Sequence, residues 1–134
     1  MIPPFNDSGF LPAGVHPATF GEIAERFGGP PELRRVQMES VRWMIDLALR
    51  AGVRRIVLNG SFVTDIMEPN DVDCVLLFPL ERPADIRAFR ELRGGLPFVS
   101  TVVVRSVGRF DEYVRGIFAE DRFGTPKGVI EVTL

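Results

Sequence analysis

Ile56-Val57-Leu58-Asn59-Gly60-Ser61-Phe62, followed by Pro69-Asn70-Asp71-Val72-Asp73-Cys74-Val75-Leu76-Leu77-Phe78, decides how this chain is read. An apolar strand runs into Gly-Ser, and a second strand opens on two aspartates separated by one valine. Alternate residues of a strand project to the same face, so Asp71 and Asp73 aim together at one spot. Two carboxylates held close repel, and one of them is pushed up in pKa unless a cation lies between. A hard divalent ion with oxygen ligands, Mg2+ foremost, suits such a pair. Gly60 lets a backbone come close to a phosphate, and Ser61 puts a donor beside it. Metal and phosphate cradle together point to a nucleotide ligand.

Outward from this centre the chain alternates helices and strands. Residues 55–59 and 71–78 are the first two strands, and the second, apolar on both faces after Asp73, reads as central in its sheet. The short link between them permits antiparallel pairing. Upstream, Thr19-Phe20-Gly21-Glu22 is a capping box that opens a short helix. Residues 32–51 carry apolar side chains at three- and four-residue steps and end at Gly52, a helix stop. Arg34, Arg35, Arg42 and Arg50 fall largely off that stripe, which indicates a solvated face. Downstream, a helix is expected at 84–93, a β-branched strand at 98–107, a helix at 110–123 and a last strand at 128–134. The expected fold is α+β, one mixed sheet of about four strands with helices packed on it. Residues 1–18, with Pro3, Pro4, Pro12 and Pro17, read as an extended N-terminal arm, and residues 19–134 as a single domain.

Composition narrows the function classes. The 134 residues suffice for one domain with a real core. A net charge of −2 argues against broad nucleic-acid binding, which needs a basic surface, and leaves nucleic acid only as an acceptor. No apolar run is long enough to cross a membrane, and the N-terminus has no secretory pattern, so the expected location is cytoplasmic. The single cysteine, Cys74, sits in an apolar strand as a small core residue. His16, the only histidine, lies in the proline-rich arm and reads as structural.

Gly60, Ser61, Asp71 and Asp73 resemble, in type, order and spacing, the signature of the nucleotidyltransferase superfamily with the polymerase-beta-like fold. There a strand ends in Gly-Gly or Gly-Ser and the next carries Asp-x-Asp. The small size is similar to the minimal nucleotidyltransferases of bacterial toxin–antitoxin pairs. The pattern of Leu11-Pro12-Ala13-Gly14-Val15-His16-Pro17, Gly60-Ser61-Phe62-Val63-Thr64-Asp65 and Lys127-Gly128-Val129-Ile130 is similar to an uncharacterised bacterial family related to them. The resemblance implies a nucleotidyltransferase-like fold. Gly60 and Ser61 would contact a triphosphate, and Asp71 and Asp73 would be the catalytic, metal-holding acids.

Family enzymes commonly add a third carboxylate from a later strand. Here that strand, Phe98 to Arg105, has no acid, and Ser100 or Val102 stands where an aspartate is expected. Glu131, inside the last strand, is either a replacement metal ligand or a solvent-facing edge residue. Asp65 belongs on the loop surface, and Lys127 and Arg105 read as surface cations. Two functions follow. One is Mg2+-dependent transfer of NMP from an NTP to a protein or RNA acceptor, with the chain as the antitoxin of a toxin–antitoxin pair. The other is an interaction protein, weak or inactive in transfer, that binds and neutralises a partner. With no spare domain to hold an acceptor, a protein partner or a homo-oligomer is expected.

Overall fold

A computed structural model describes all 134 residues. The elements are β1 (Gly14–Ala18), α1 (Phe20–Phe27), α2 (Glu32–Ala51), β2 (Arg55–Asn59), β3 (Val72–Leu77), α3 (Ile86–Arg93), β4 (Val99–Val104), α4 (Val107–Glu112) and β5 (Gly128–Val132). A 3-10 turn follows β2 at Ser61–Val63, and α4 runs on into a π turn at Tyr113–Ile117. The protein is α+β, with a mixed sheet in the order β1-β5-β2-β3-β4. β2 pairs antiparallel with β3 and β5, while β3/β4 and β1/β5 are parallel.

The sheet has five strands, not the expected four. The extra one comes from the arm, where Gly14–Ala18 pairs with β5. Proline cannot donate to a ladder, so Pro17 hides this strand from a sequence reading and confines it to the sheet edge. The rest of the arm is fastened to the body. Arg26 donates to Ile2 O at 3.3 Å and Pro3 O at 2.9 Å, its guanidinium lies 4.4 Å from the Phe5 ring centroid, and Leu11 is fully buried. His16 Nε2 donates to Pro12 O at 2.6 Å, the structural role its setting indicates.

Periodicity explains the core. On one face, Ile56, Leu58, Cys74, Leu76 and Ile130 meet α1, α2 and α3 in the larger hydrophobic cluster. On the other, Val57, Val75, Leu77 and Val129 meet Phe110, Val114 and Phe118 of the α4 segment. The Thr19 capping box forms as expected, with Thr19 Oγ1 accepting from Glu22 N at 3.1 Å and Glu22 Oε1 accepting from Thr19 N at 2.9 Å. α2 ends at Gly52, whose φ of 94° lets its N–H turn back onto Ala48 and Leu49 carbonyls.

Two helix expectations need correction. The α4 segment starts earlier than residue 110, because Ser106 caps it by accepting from Arg109 N at 3.1 Å. It is over by Phe118, after the π turn that contains Gly116, so Phe123 is loop and 82% exposed. Arg34 is not on a solvated face: it is 6% exposed. Its guanidinium donates to Phe27 O at 3.2 Å, Phe62 O at 2.8 Å, Thr64 O at 2.8 Å and Ile66 O at 3.1 Å. A fork of five N–H donors satisfies four carbonyls that no strand or helix can reach. It thereby fixes the chain that leaves β2.

Candidate functional site

β2 and β3 lie side by side with Asn59 opposite Asp73, and on the far side of β3 Asp73 is level with Ser100 of β4. Asp73 alternates with Val75 and Leu77, so it points to the face covered by α4. That cover stops short of this end of the sheet. The space left is a pocket of about 600 Å3 lined by Asn59, Gly60, Ser61, Asp71, Asp73 and Lys127, with Phe10, Ile66, Ile117 and Phe123 among its apolar walls. Its size is within the ~300–1,000 Å3 usual for small-molecule sites. The two acids, the Gly-Ser bend and the one lysine therefore meet. So does the arm, through Phe10, which bridges to Thr64.

The bend requires glycine. Gly60 has φ 88°, and a Cβ there would lie 3.0 Å from both Asp71 O and Asp73 Oδ2. The backbone of β2 thus runs hard against the Asp73 carboxylate. Ser61 Oγ accepts from Asn70 N at 3.0 Å, tying the bend to the residue before Asp71 and leaving its hydroxyl proton available to a ligand. Gln37 of α2 donates from Nε2 to Pro69 O at 2.6 Å and anchors the same loop from below.

The electrostatics follow from crowding. Burial first, and then the charge of Asp71, push the Asp73 carboxyl above the usual carboxylate range, with Lys127 acting against them. Burial pulls Lys127 below the ordinary ammonium value, opposed by Asp73 and Asp121. Each is half-buried and each favours the charge of the other. Opposed shifts in one cleft accompany functional sites and structural ion pairs alike. Lys127 is thus not the surface cation its sequence setting indicates.

Glu131 does not join the acids. It is opposite Val57, one alternation up the sheet from Asn59. Arg55 holds it in a two-point ion pair, Nε to Oε2 at 2.8 Å and Nη2 to Oε1 at 2.7 Å. Arg105 is also elsewhere, donating to Pro79 O at 2.9 Å, and Asp65 is exposed on its loop as expected. Cys74 is buried, its thiol pushed far up by burial, and is core as expected. No group of three or more His, Cys, Asp or Glu side chains is placed to hold a metal ion. Sequence reasoning passed over Asn59. Its signal was a lone amide closing an apolar strand immediately before Gly60, in step with Val57.

Fold and site define an α+β protein with an acid–lysine pocket at the bend between two antiparallel strands. The chain belongs to a family of unknown function, DUF6932, which it matches over residues 3–133. No curated protein and no solved structure matches it.

Proposed function

We propose that this pocket binds a nucleoside triphosphate with Mg2+, and that the protein is a nucleotidyltransferase-type enzyme moving NMP to an acceptor hydroxyl. The observation that carries the reading is the Gly60–Asp73 contact. A positive-φ glycine packs the bend directly against the Asp73 carboxylate, with a second acid, a serine hydroxyl and a lysine lining the same pocket. The donor set suits a hard cation: Asp71 and Asp73 would hold Mg2+, which supplies charge stabilisation at the phosphates when bound.

The chain's own groups have separate tasks. Gly60 admits a phosphate to the backbone, and Ser61 donates its hydroxyl proton to it. Lys127 offsets triphosphate charge, at a cost already met by its partial burial. Phe10, Ile66 and Ile117 offer an apolar wall to the base or sugar. The acceptor oxygen bonds to the α-phosphorus, the bond to pyrophosphate breaks, and the acceptor's proton passes to solvent water.

A second reading is favoured by one observation. The residue level with Asp73 on β4 is Ser100, so no third carboxylate flanks the pair. On this reading the domain binds and neutralises a protein partner, such as the toxin of a toxin–antitoxin pair, without turnover. The test is incubation with α-labelled NTPs and Mg2+, with and without the product of a neighbouring gene. Label transfer abolished by Asp71→Asn and by Asp73→Asn supports the enzyme. Tight partner binding, unaffected by either change and with no transfer from any NTP, replaces it with the second reading.

A further inference from the structure

We infer that Asn59 supplies the third oxygen of the cation site, in place of the carboxylate that β4 lacks; this rests on the metal–nucleotide reading above. Asn59 is 4% exposed, lines the pocket and sits opposite Asp73 on the sheet. Its Oδ1 is buried and accepts no hydrogen bond. Buried polar atoms are nearly always paired, so an orphaned amide oxygen on a residue lining the same pocket as two carboxylates marks a missing partner. That partner is a donor or a cation, and the neighbours decide between them. Asp73 and Asp71 add negative charge, and neither of the two cationic side chains that line the pocket, Lys127 and Arg122, donates to Asn59 Oδ1.

Amide carbonyl oxygens are ordinary ligands of hard divalent ions. The torsion about Cβ–Cγ is soft, so Oδ1 swings toward the pocket without moving the backbone. The other candidates fall away on geometry. Ser100 flanks Asp73 from the opposite side with a neutral hydroxyl, and Glu131 is engaged by Arg55. A neutral third ligand has a consequence. Two acids and an amide neutralise a divalent ion and no more, so the free site binds metal weakly and draws on the triphosphate to complete its shell.

The test is Mn2+ binding by the full chain, followed by electron paramagnetic resonance, with and without a non-hydrolysable ATP analogue. Asn59→Leu keeps the shape and removes the oxygen. Binding should weaken about tenfold or more, which is about 1.4 kcal/mol, while the metal-free melting temperature does not fall. Asn59→Asp should bind Mn2+ more tightly than wild type in the absence of nucleotide. Wild-type affinity in Asn59→Leu, or weakening in Asn59→Asp, overturns the inference. Should Asp73→Asn lose Mn2+ while Asn59→Leu keeps it, only the role of Asn59 fails. Should the wild type bind no Mn2+ in either condition, the metal–nucleotide reading fails with it.

Discussion

Replacing Arg34 by methionine takes away five hydrogen bonds at once, to the carbonyls of Phe27, Phe62, Thr64 and, twice, Ile66. An orphaned buried acceptor costs about 1–3 kcal/mol. Ile66 lies on an exposed stretch and its carbonyl can rehydrate, which leaves three carbonyls at stake. Set against this is the relief of no longer burying a guanidinium, whose pKa burial already pulls down, with only the Asp65 charge helping. The balance is a loss of about 3 kcal/mol. At roughly 3 °C per kcal/mol for a chain this size, the melting temperature should drop by about 10 °C. Differential scanning calorimetry and urea titration would both read it. Arg34→Lys should fall between, since one ammonium cannot span carbonyls from α1 to Ile66. A methionine variant melting within about 2 °C of wild type would refute the claim that this side chain holds the loop.

Three further outcomes are expected. Asp73 has a folded pKa raised above its unfolded one, so its contribution is favourable at low pH and is lost as pH rises through the folded value. Asp73→Asn should therefore melt higher than wild type at pH 7 in EDTA. The gap should close as pH falls toward about 3.9, and a variant less stable at neutral pH would contradict the assigned strain. Gly60→Ala, which puts a Cβ 3.0 Å from Asp71 O at a φ of 88°, should lose about 1–3 kcal/mol by urea unfolding. Glu131→Gln should leave Mn2+ affinity unchanged while costing about 1 kcal/mol or less, since its ion pair with Arg55 is only partly buried. Loss of metal would restore Glu131 to the site.

How far the sequence discloses the fold depends on whether local pattern and tertiary need agree. They agree along α2 and β2, whose bounds fall where the stripe and the apolar run put them. They disagree at β1, where Pro17 denies a strand that only the partner β5 makes worthwhile. They disagree again after Phe118, where apolar residues at helical spacing belong to a π turn and then to a loop closed by the Asp121 carboxylate. Arg34 is the clearest case. Its place on the helical wheel says solvent, yet a cluster of unpaired loop carbonyls, invisible in sequence, draws it inside.

The site divides along the same line. Gly60, Ser61, Asp71 and Asp73 are close in sequence at one end of an antiparallel strand pair, so local pairing and strand parity bring them together. Asn59, next to Gly60, joins them through the β2–β3 pairing, whereas Lys127 enters through the place of β5 beside β2, which no periodicity reports. That order also explains a cost. Two acids and a lysine are pressed into a half-buried cleft, and an amide oxygen is left without a partner beside them. None of these helps the protein fold, whereas on the proposed reading each becomes favourable with a cation and a polyphosphate bound. The buried fork of Arg34 and the Gln37 bond to Pro69 O act in the opposite sense, stiffening the loop that carries the acids. The loop that Arg34 and Gln37 anchor leads directly into β3, so the positions of Asp71 and Asp73 are set by packing before any ligand arrives, as the proposed function requires.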